Sequence, residues 1–180
     1  YVADDPGVSA GCVEQDTRLY AAMADLPVVE PASVEQAYRL TQVAFELSEA
    51  VKTPVILRLV TAIAASSGVV DVEEEKPVTF TEPRLIRDIQ RFTKAGAQIS
   101  MAQHRDVIRR LAAAGEWAHE KGLNLLTLSD QPGGLGIIAS GITAAYLEES
   151  FQLAEAYGLE RKALSVLRVN LTHPFPEAEV

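Results

Sequence analysis

Leu26-Pro27-Val28-Val29-Glu30-Pro31 and Pro54-Val55-Ile56-Leu57-Arg58-Leu59-Val60 are two short apolar runs, and the residues between them repeat apolar side chains at helical spacing. The first reads as a brief buried strand closed by proline. The second is nearly all apolar, the composition of a parallel strand covered by helices on both faces. Between them Val34, Ala37, Leu40, Ala44, Leu47 and Val51 fall three or four residues apart, so one stripe of a helix faces a core. Ser33-Val34-Glu35-Gln36 has the form of a capping box at its start, and the helix must stop before Pro54. Upstream, Tyr1-Val2-Ala3 breaks at Asp4-Asp5-Pro6-Gly7. That pattern predicts a strand delivering its carboxyl end to a tight turn, because Pro presets φ and Gly tolerates a positive one. A short helix over residues 15–23 follows, with Leu19, Tyr20 and Met23 sharing a face. Strand, helix, strand, helix, strand over the first sixty residues is a βαβαβ unit with right-handed crossovers. In such α/β sheets ligands lie off the carboxyl ends of the strands.

The charge run Asp71-Val72-Glu73-Glu74-Glu75-Lys76-Pro77 reads as a solvated linker. Residues 78–130 predict a connector with two helices. Leu85, Ile86, Ile89 and Phe92 mark the first, and His104, Val107, Ile108, Leu111, Ala114 and Ala118 mark the second, which closes near Gly122 as a left-handed cap. Seven of the sixteen Lys and Arg residues lie between Arg84 and Arg110. Interspersed Glu82, Asp88 and Asp106 make a solvated, ion-paired face the simpler reading, with a docking strip for an acidic partner as the alternative. Gly134, Gly136 and Ala139 fit the dinucleotide fingerprint G-x-G-x-x-A. In that fingerprint, however, the glycines follow a strand and open a helix, whereas here they precede a strand at 135–139. A helix from about Ser140, its candidate cap, runs through Tyr146, Phe151, Leu153, Ala154 and Tyr157 to Gly158. Residues 164–171 then predict a further strand, closed by His173-Pro174-Phe175-Pro176, so a second βαβ unit has begun.

Composition narrows the function classes. A chain of 180 residues can bury about 70% of the surface its unfolded form exposes. With 48% hydrophobic and 23% charged residues it is neither disordered nor fibrous. A formal net charge of −9 argues against nucleic-acid binding, which draws on clustered Lys and Arg. The single cysteine, Cys12, excludes an intramolecular disulfide and any Cys-x-x-Cys metal or cluster site within the chain. No run approaches the ~20 apolar residues that span a bilayer, and no basic segment precedes an apolar one as in a signal peptide. These features predict a soluble protein of the reducing cytoplasm, with no membrane partner. Because the chain begins without Met and enters on a strand-like run, it reads as an excerpt of a longer protein. No G-x-S-x-G elbow or phosphate-binding loop occurs. His119-Glu120 opens like H-E-x-x-H, but position 123 is Leu.

The residues with a chemical prospect are at the amino end. Glu14, Asp16 and Arg18 fall where the helix after the acidic turn begins, and an Arg there can fork onto a carboxylate or phosphate through two parallel N–H donors. A charged helix start complementing the dipole explains the same spacing.

Asp4-Asp5-Pro6-Gly7 with Glu14-Gln15-Asp16 and Arg18 resembles a segment of the α subunit of indolepyruvate ferredoxin oxidoreductases, within the thiamine-diphosphate-dependent 2-oxoacid:ferredoxin oxidoreductase family. The likeness continues, in the family's order, through Phe45-Glu46-Leu47-Ser48-Glu49, Pro54-Val55-Ile56-Leu57-Arg58, Gly136-Ile137-Ile138-Ala139-Ser140-Gly141-Ile142 and Pro174-Phe175-Pro176-Glu177. The resemblance implies a three-layer αβα fold with a mostly parallel sheet. Residues 1–70 would be the carboxyl-terminal part of a pyrimidine-binding domain, 71–130 a helical connector, and 131–180 the beginning of a transketolase C-terminal-like domain. It implies oxidative decarboxylation of a 2-oxoacid, an arylpyruvate such as indolepyruvate, with CoA and ferredoxin as co-substrates. Thiamine diphosphate and Mg²⁺ would be completed by residues or subunits outside this chain, as would the iron–sulfur clusters, in an oligomer with a partner subunit or further domains. By the same resemblance Arg18 approaches the substrate carboxylate, and Asp4, Asp5, Pro6, Gly7, Glu14, Asp16 and Thr61 form the neighbouring loops. Where the family usually carries an Arg and a His after the second strand, this chain has Ala62 and Ala65. That departure keeps open a non-catalytic scaffold subunit of the same fold, and a small α/β ligand-binding module is a further reading.

Overall fold

The computed structural model describes residues 5–7, 11–72, 82–131, 134–158 and 164–180. The strand expected over the first residues, together with Asp4, lies outside them. The α/β class expected from the sequence is the class observed. A first sheet holds β1 (Val28–Val29), β2 (Ile56–Leu57) and β6 (Leu171–His173) in the order β2-β1-β6. A second holds β3 (Leu125–Thr127), β4 (Leu135–Ser140) and β5 (Leu164–Val169) in the order β3-β5-β4. Each sheet has one parallel pair, β1 with β2 and β4 with β5, and one antiparallel pair, β1 with β6 and β3 with β5.

The crossover between β1 and β2 is α2 (Val34–Val51). Its start is the anticipated capping motif, with Ser33 Oγ accepting the Gln36 N–H at 3.1 Å. Gln36 reaches back one residue further than the usual box and accepts the Ala32 N–H at 2.8 Å. The helix ends at Lys52 in the left-handed region, two residues before the proline that forbids its continuation. The inward stripe of α2, Leu47 and Val51, meets Val29 of β1, Leu171 of β6, and Ala114 and Ala118 of α5 (Ala97–Glu120). Small residues on α5 let the two helices and the sheet approach closely. Gly115 belongs to the same close approach, since a Cβ there would lie 3.2 Å from Pro174 Cγ. At the end of α5, Gly122 has φ +60, its N–H bonds to His119 O, and the Leu123 N–H bonds to Ala118 O. This is the predicted left-handed stop in Schellman form.

Four expectations change. The first connector helix shrinks to one turn, α4 (Ile89–Phe92), and residues 82–88 carry no regular structure. Leu85 and Ile86 have no surface to pack on, and a short helix without packing does not form. The end of the expected connector contains β3, whose exposed Leu125-Leu126-Thr127 lacks the alternation that would have marked it as a strand. Ser140 does not cap α6 (Ile142–Ala156), because it is still the last residue of β4, and Gly141 with φ +50 stands between it and the helix. Thr143 Oγ1 instead reaches back to the Ser140 backbone, donating to its carbonyl at 2.6 Å. The strand expected at 164–171 is two strands, β5 and β6, in different sheets. In the connector, Asp106 pairs with Arg109 and Arg110, in keeping with an ion-paired face.

The passage from one sheet to the other is made at Asn170 and held by Asn124, a buried residue just after α5. Asn124 Oδ1 accepts the backbone N–H of both Asn170 (2.9 Å) and Leu171 (3.0 Å), and Asn170 Nδ2 donates to Leu123 O (2.8 Å). One side-chain oxygen therefore satisfies two successive backbone donors, one half-buried and one buried, where the chain passes between the sheets. Asn124→Ala leaves both without an acceptor. It should lower unfolding free energy by about 1–3 kcal/mol in chemical denaturation, the usual range for unsatisfied buried donors.

Candidate functional site

The register of the first sheet builds the site. Val28 pairs with Ile56 and Val29 with Leu57, and the ladder extends one step through Arg58 N–H to Val29 O at 2.9 Å. Glu30 and Arg58 thus leave the carboxyl ends of adjacent parallel strands side by side. Arg58 Nη1 donates to Glu30 Oε2 at 3.0 Å, and only 8% and 4% of the two side chains is exposed. Thr172 of β6 donates to the other oxygen of Glu30 at 3.1 Å, and Arg58 Nε donates to Thr17 Oγ1 at 3.0 Å. Gly141, at the carboxyl end of β4, lies against this pair: a Cβ on it would be 3.0 Å from Glu30 Oε2. Glycine is required there both for its positive φ and for that approach.

A cavity of about 450 Å³ opens where these strand ends meet. Its lining joins Asp5, Pro6, Arg18, Glu30, Pro31, Arg58 and the 60–62 segment to Ser140, Gly141, Ile142, Thr143 and Tyr146. The two guanidinium groups are held differently. Arg58 is fixed by burial, whereas the side chain of Arg18 is 43% exposed and bound to Asp16, with Nη2 to Oδ2 at 2.7 Å and Nε to Oδ1 at 2.8 Å. Asp16 Oδ1 also accepts the Arg18 N–H at 3.1 Å and lies 3.8 Å from Arg58 Nη2. The hydrogen bonds from Arg18 hold the Asp16 carboxyl below its ordinary value of 3.8, and the same pairing raises Arg18.

The remaining sequence-selected residues clasp the loops around this cavity. The carboxylate of Asp5 accepts the Thr61 N–H at 3.0 and 3.2 Å, and its backbone carbonyl accepts the Gln15 N–H at 3.0 Å. Gly7, with φ +76, donates its N–H to Glu14 Oε2 at 2.9 Å. Asp5, Pro6 and Thr61 line the cavity together with Arg18, while Gly7, Glu14 and Asp16 are not on its lining. Ala62 is also on the lining and Ala65 is not. The sequence reading missed Glu30 and Arg58 as site residues. A charge ending each of two otherwise apolar strands was the available signal, because a buried ion demands a partner.

By fold the chain is an α/β protein with a cavity off its strand ends, where open α/β sheets bind small ligands. Over 174 residues it is 33% identical to the indolepyruvate oxidoreductase subunit IorA of Methanothermobacter thermautotrophicus, covering 97% of this chain and 27% of that protein. With the subunit of the same name from Archaeoglobus fulgidus it shares 32% identity over 175 residues, again 97% and 27%. With that of Thermococcus kodakarensis it shares 34% over 153 residues, 83% of this chain and 23% of that one. The chain thus spans about a quarter of the length of the curated relatives it matches. No family model matches it. The chain belongs to the family of these indolepyruvate oxidoreductase subunits, as a fragment or divergent member. The reading of an unrelated α/β module ends there. Among the described residues, no helix is long and apolar enough to cross a membrane.

Two stability outcomes follow from how the ion pairs are held. Glu30→Ala leaves a buried guanidinium without its carboxylate and should cost about 3–5 kcal/mol in denaturant unfolding. The Arg18–Asp16 pair is half-exposed and worth at most about 1 kcal/mol. Since the Asp16 carboxyl is depressed in the folded state, that contribution is full above pH 3.8 and disappears as pH falls through the folded value. Asp16→Asn should therefore be slightly less stable than the parent at pH 7, with the difference closing as pH falls through the folded Asp16 value in parallel melts.

Proposed function

We propose that this chain forms one wall of the 2-oxoacid site of an indolepyruvate oxidoreductase, with Arg18 receiving the substrate carboxylate. The observation that carries the reading is the convergence of Arg18 and Arg58 on one cavity at the carboxyl ends of parallel strands. A guanidinium presents two parallel N–H donors matched to a carboxylate. Arg58 is committed to Glu30 and Thr17, which leaves the half-exposed Arg18 as the group able to reach a ligand. The name of the relatives points to indolepyruvate as the substrate, and the apolar and aromatic groups on the same cavity lining, Ile142 and Tyr146, suit a planar side chain.

The whole enzyme in this reading decarboxylates the 2-oxoacid with thiamine diphosphate, passes electrons through iron–sulfur clusters to ferredoxin, and forms an acyl-CoA with a partner subunit or further domains. Thiamine diphosphate, when bound, supplies the electron sink for decarboxylation. The residues of this chain orient the oxoacid and shield it. Among the described residues no three His, Cys, Asp or Glu side chains converge as ligands of a metal ion would. By the family resemblance the diphosphate and its Mg²⁺ belong to the rest of the enzyme, and this chain is fitted to the carboxylate end of the substrate. Three domains, 1–70, 71–130 and 131–180, remain part of the proposal, as does assembly into an oligomer.

A second reading, a subunit that keeps the fold without catalysis, is favoured by Ala62 on the cavity wall, where the resembling enzymes usually carry an arginine. Ferredoxin reduction driven by indolepyruvate and CoA, assayed in the complete enzyme, separates the two: absent turnover with thiamine diphosphate bound selects the scaffold. In an active preparation Arg18→Ala should raise KM for indolepyruvate about 10- to 100-fold, the loss of a charge-assisted hydrogen-bond pair, with cofactor uptake unchanged. An unaltered KM would remove Arg18 from the site.

A further inference from the structure

The edge of Arg18 that would receive a substrate carboxylate already carries one. Nε and Nη2, the fork that binds a carboxylate through two bonds, are both taken by Asp16, at 2.8 Å to Oδ1 and 2.7 Å to Oδ2. A ligand carboxylate and Asp16 cannot hold the same edge together. We infer that Asp16 is a resident competitor, parking the Arg18 guanidinium at the cavity mouth and releasing it only to an incoming carboxylate; this rests on the reading of Arg18 given above.

The geometry makes the exchange inexpensive and confines it to one side chain. Asp16 need not move, because its Oδ1 is tethered by the Arg18 backbone N–H at 3.1 Å. Nor does it lose all cationic company, because Arg58 Nη2 is 3.8 Å from the same oxygen. Arg58 stays in place, held by buried Glu30 and by Thr17. What moves is the guanidinium of Arg18, which is 43% exposed and bound to a neighbour two residues away, the kind of contact that contributes little and re-forms readily. Asp16 is accordingly a positioning residue that acts through Arg18. It also filters ligands, since a group offering only one acceptor exchanges two bonds for one.

Asp16→Asn tests this in the complete enzyme, because the amide oxygen still accepts the Arg18 N–H while the competing charge is gone. KM for indolepyruvate should fall about two- to fivefold, matching relief of up to about 1 kcal/mol. The inhibition constant of indoleacetate, which has the carboxylate but no keto group to react, should fall by the same factor. Asp16→Ala, which also gives up the acceptor for the Arg18 N–H, should lower both constants likewise while losing more thermal stability. Constants that rise in both variants, or do not change, overturn the competitor role. If Arg18→Ala raises KM in the same preparation, the oxoacid site stands and only this inference fails; if Arg18→Ala changes nothing, both fall.

Discussion

The ion pair between Glu30 and Arg58 is the constraint on which the arrangement of this protein depends. Two charges almost removed from water are tolerable only when each is matched in charge and in hydrogen bonds. The matching groups come from the ends of β1 and β2, from β6, and from the residue before the helix α1 (Arg18–Ala24), through Glu30, Arg58, Thr172 and Thr17. The glycine at the end of β4 rests on the same carboxylate. A defect in any of these elements exposes or strands a charge, so the elements are pinned to one relative placement. The cavity is the space left over at this junction, and its shape is therefore set by electrostatic necessity as much as by apolar packing.

Around that fixed point the charges are graded in mobility. Arg58 is immobilised, whereas Arg18 is held by a local partner and faces solvent. One cation is locked to a buried carboxylate, and the other has only a half-exposed partner beside the same cavity. The clasps Asp5 to Thr61 and Glu14 to Gly7 hold the loops that carry them, so that flexibility is limited to one side chain.

Much of the local structure was legible in the sequence because it is specified locally. Ser33 and Gln36 announce the start of α2, and Lys52 before Thr53-Pro54 announces its end. Gly122 stops α5, and the order of Gly136, Ser140 and Gly141 told a strand from a dinucleotide loop. What escaped the sequence is specified at a distance. The 164–171 run alternates apolar residues with Ser165, Arg168 and Asn170 and reads as one strand, and its division between two sheets is marked by the bonds of Asn124, forty-six residues before Asn170. Leu125-Leu126-Thr127 becomes a strand only by lying beside Arg168, Leu167 and Val166. Arg18, Asp5, Glu14, Asp16 and Thr61 were picked out on the chain, but Glu30 and Arg58 gain meaning only when parallel register sets them shoulder to shoulder.

The pairing of β1 with β6 joins residues whose separation is illustrated by the 142 positions between Glu30 and Thr172. During synthesis β1 therefore leaves the ribosome with one flank unpaired and stays so until nearly the whole of this region has been translated. In that interval Val28 and Val29, fully covered in the finished fold, are adhesive surface, and the carboxylate that follows them lacks its threonine. Completion of the first sheet is thus a late event in the life of the nascent chain, and the window before it is when this polypeptide is most exposed to aggregation and most in need of a chaperone.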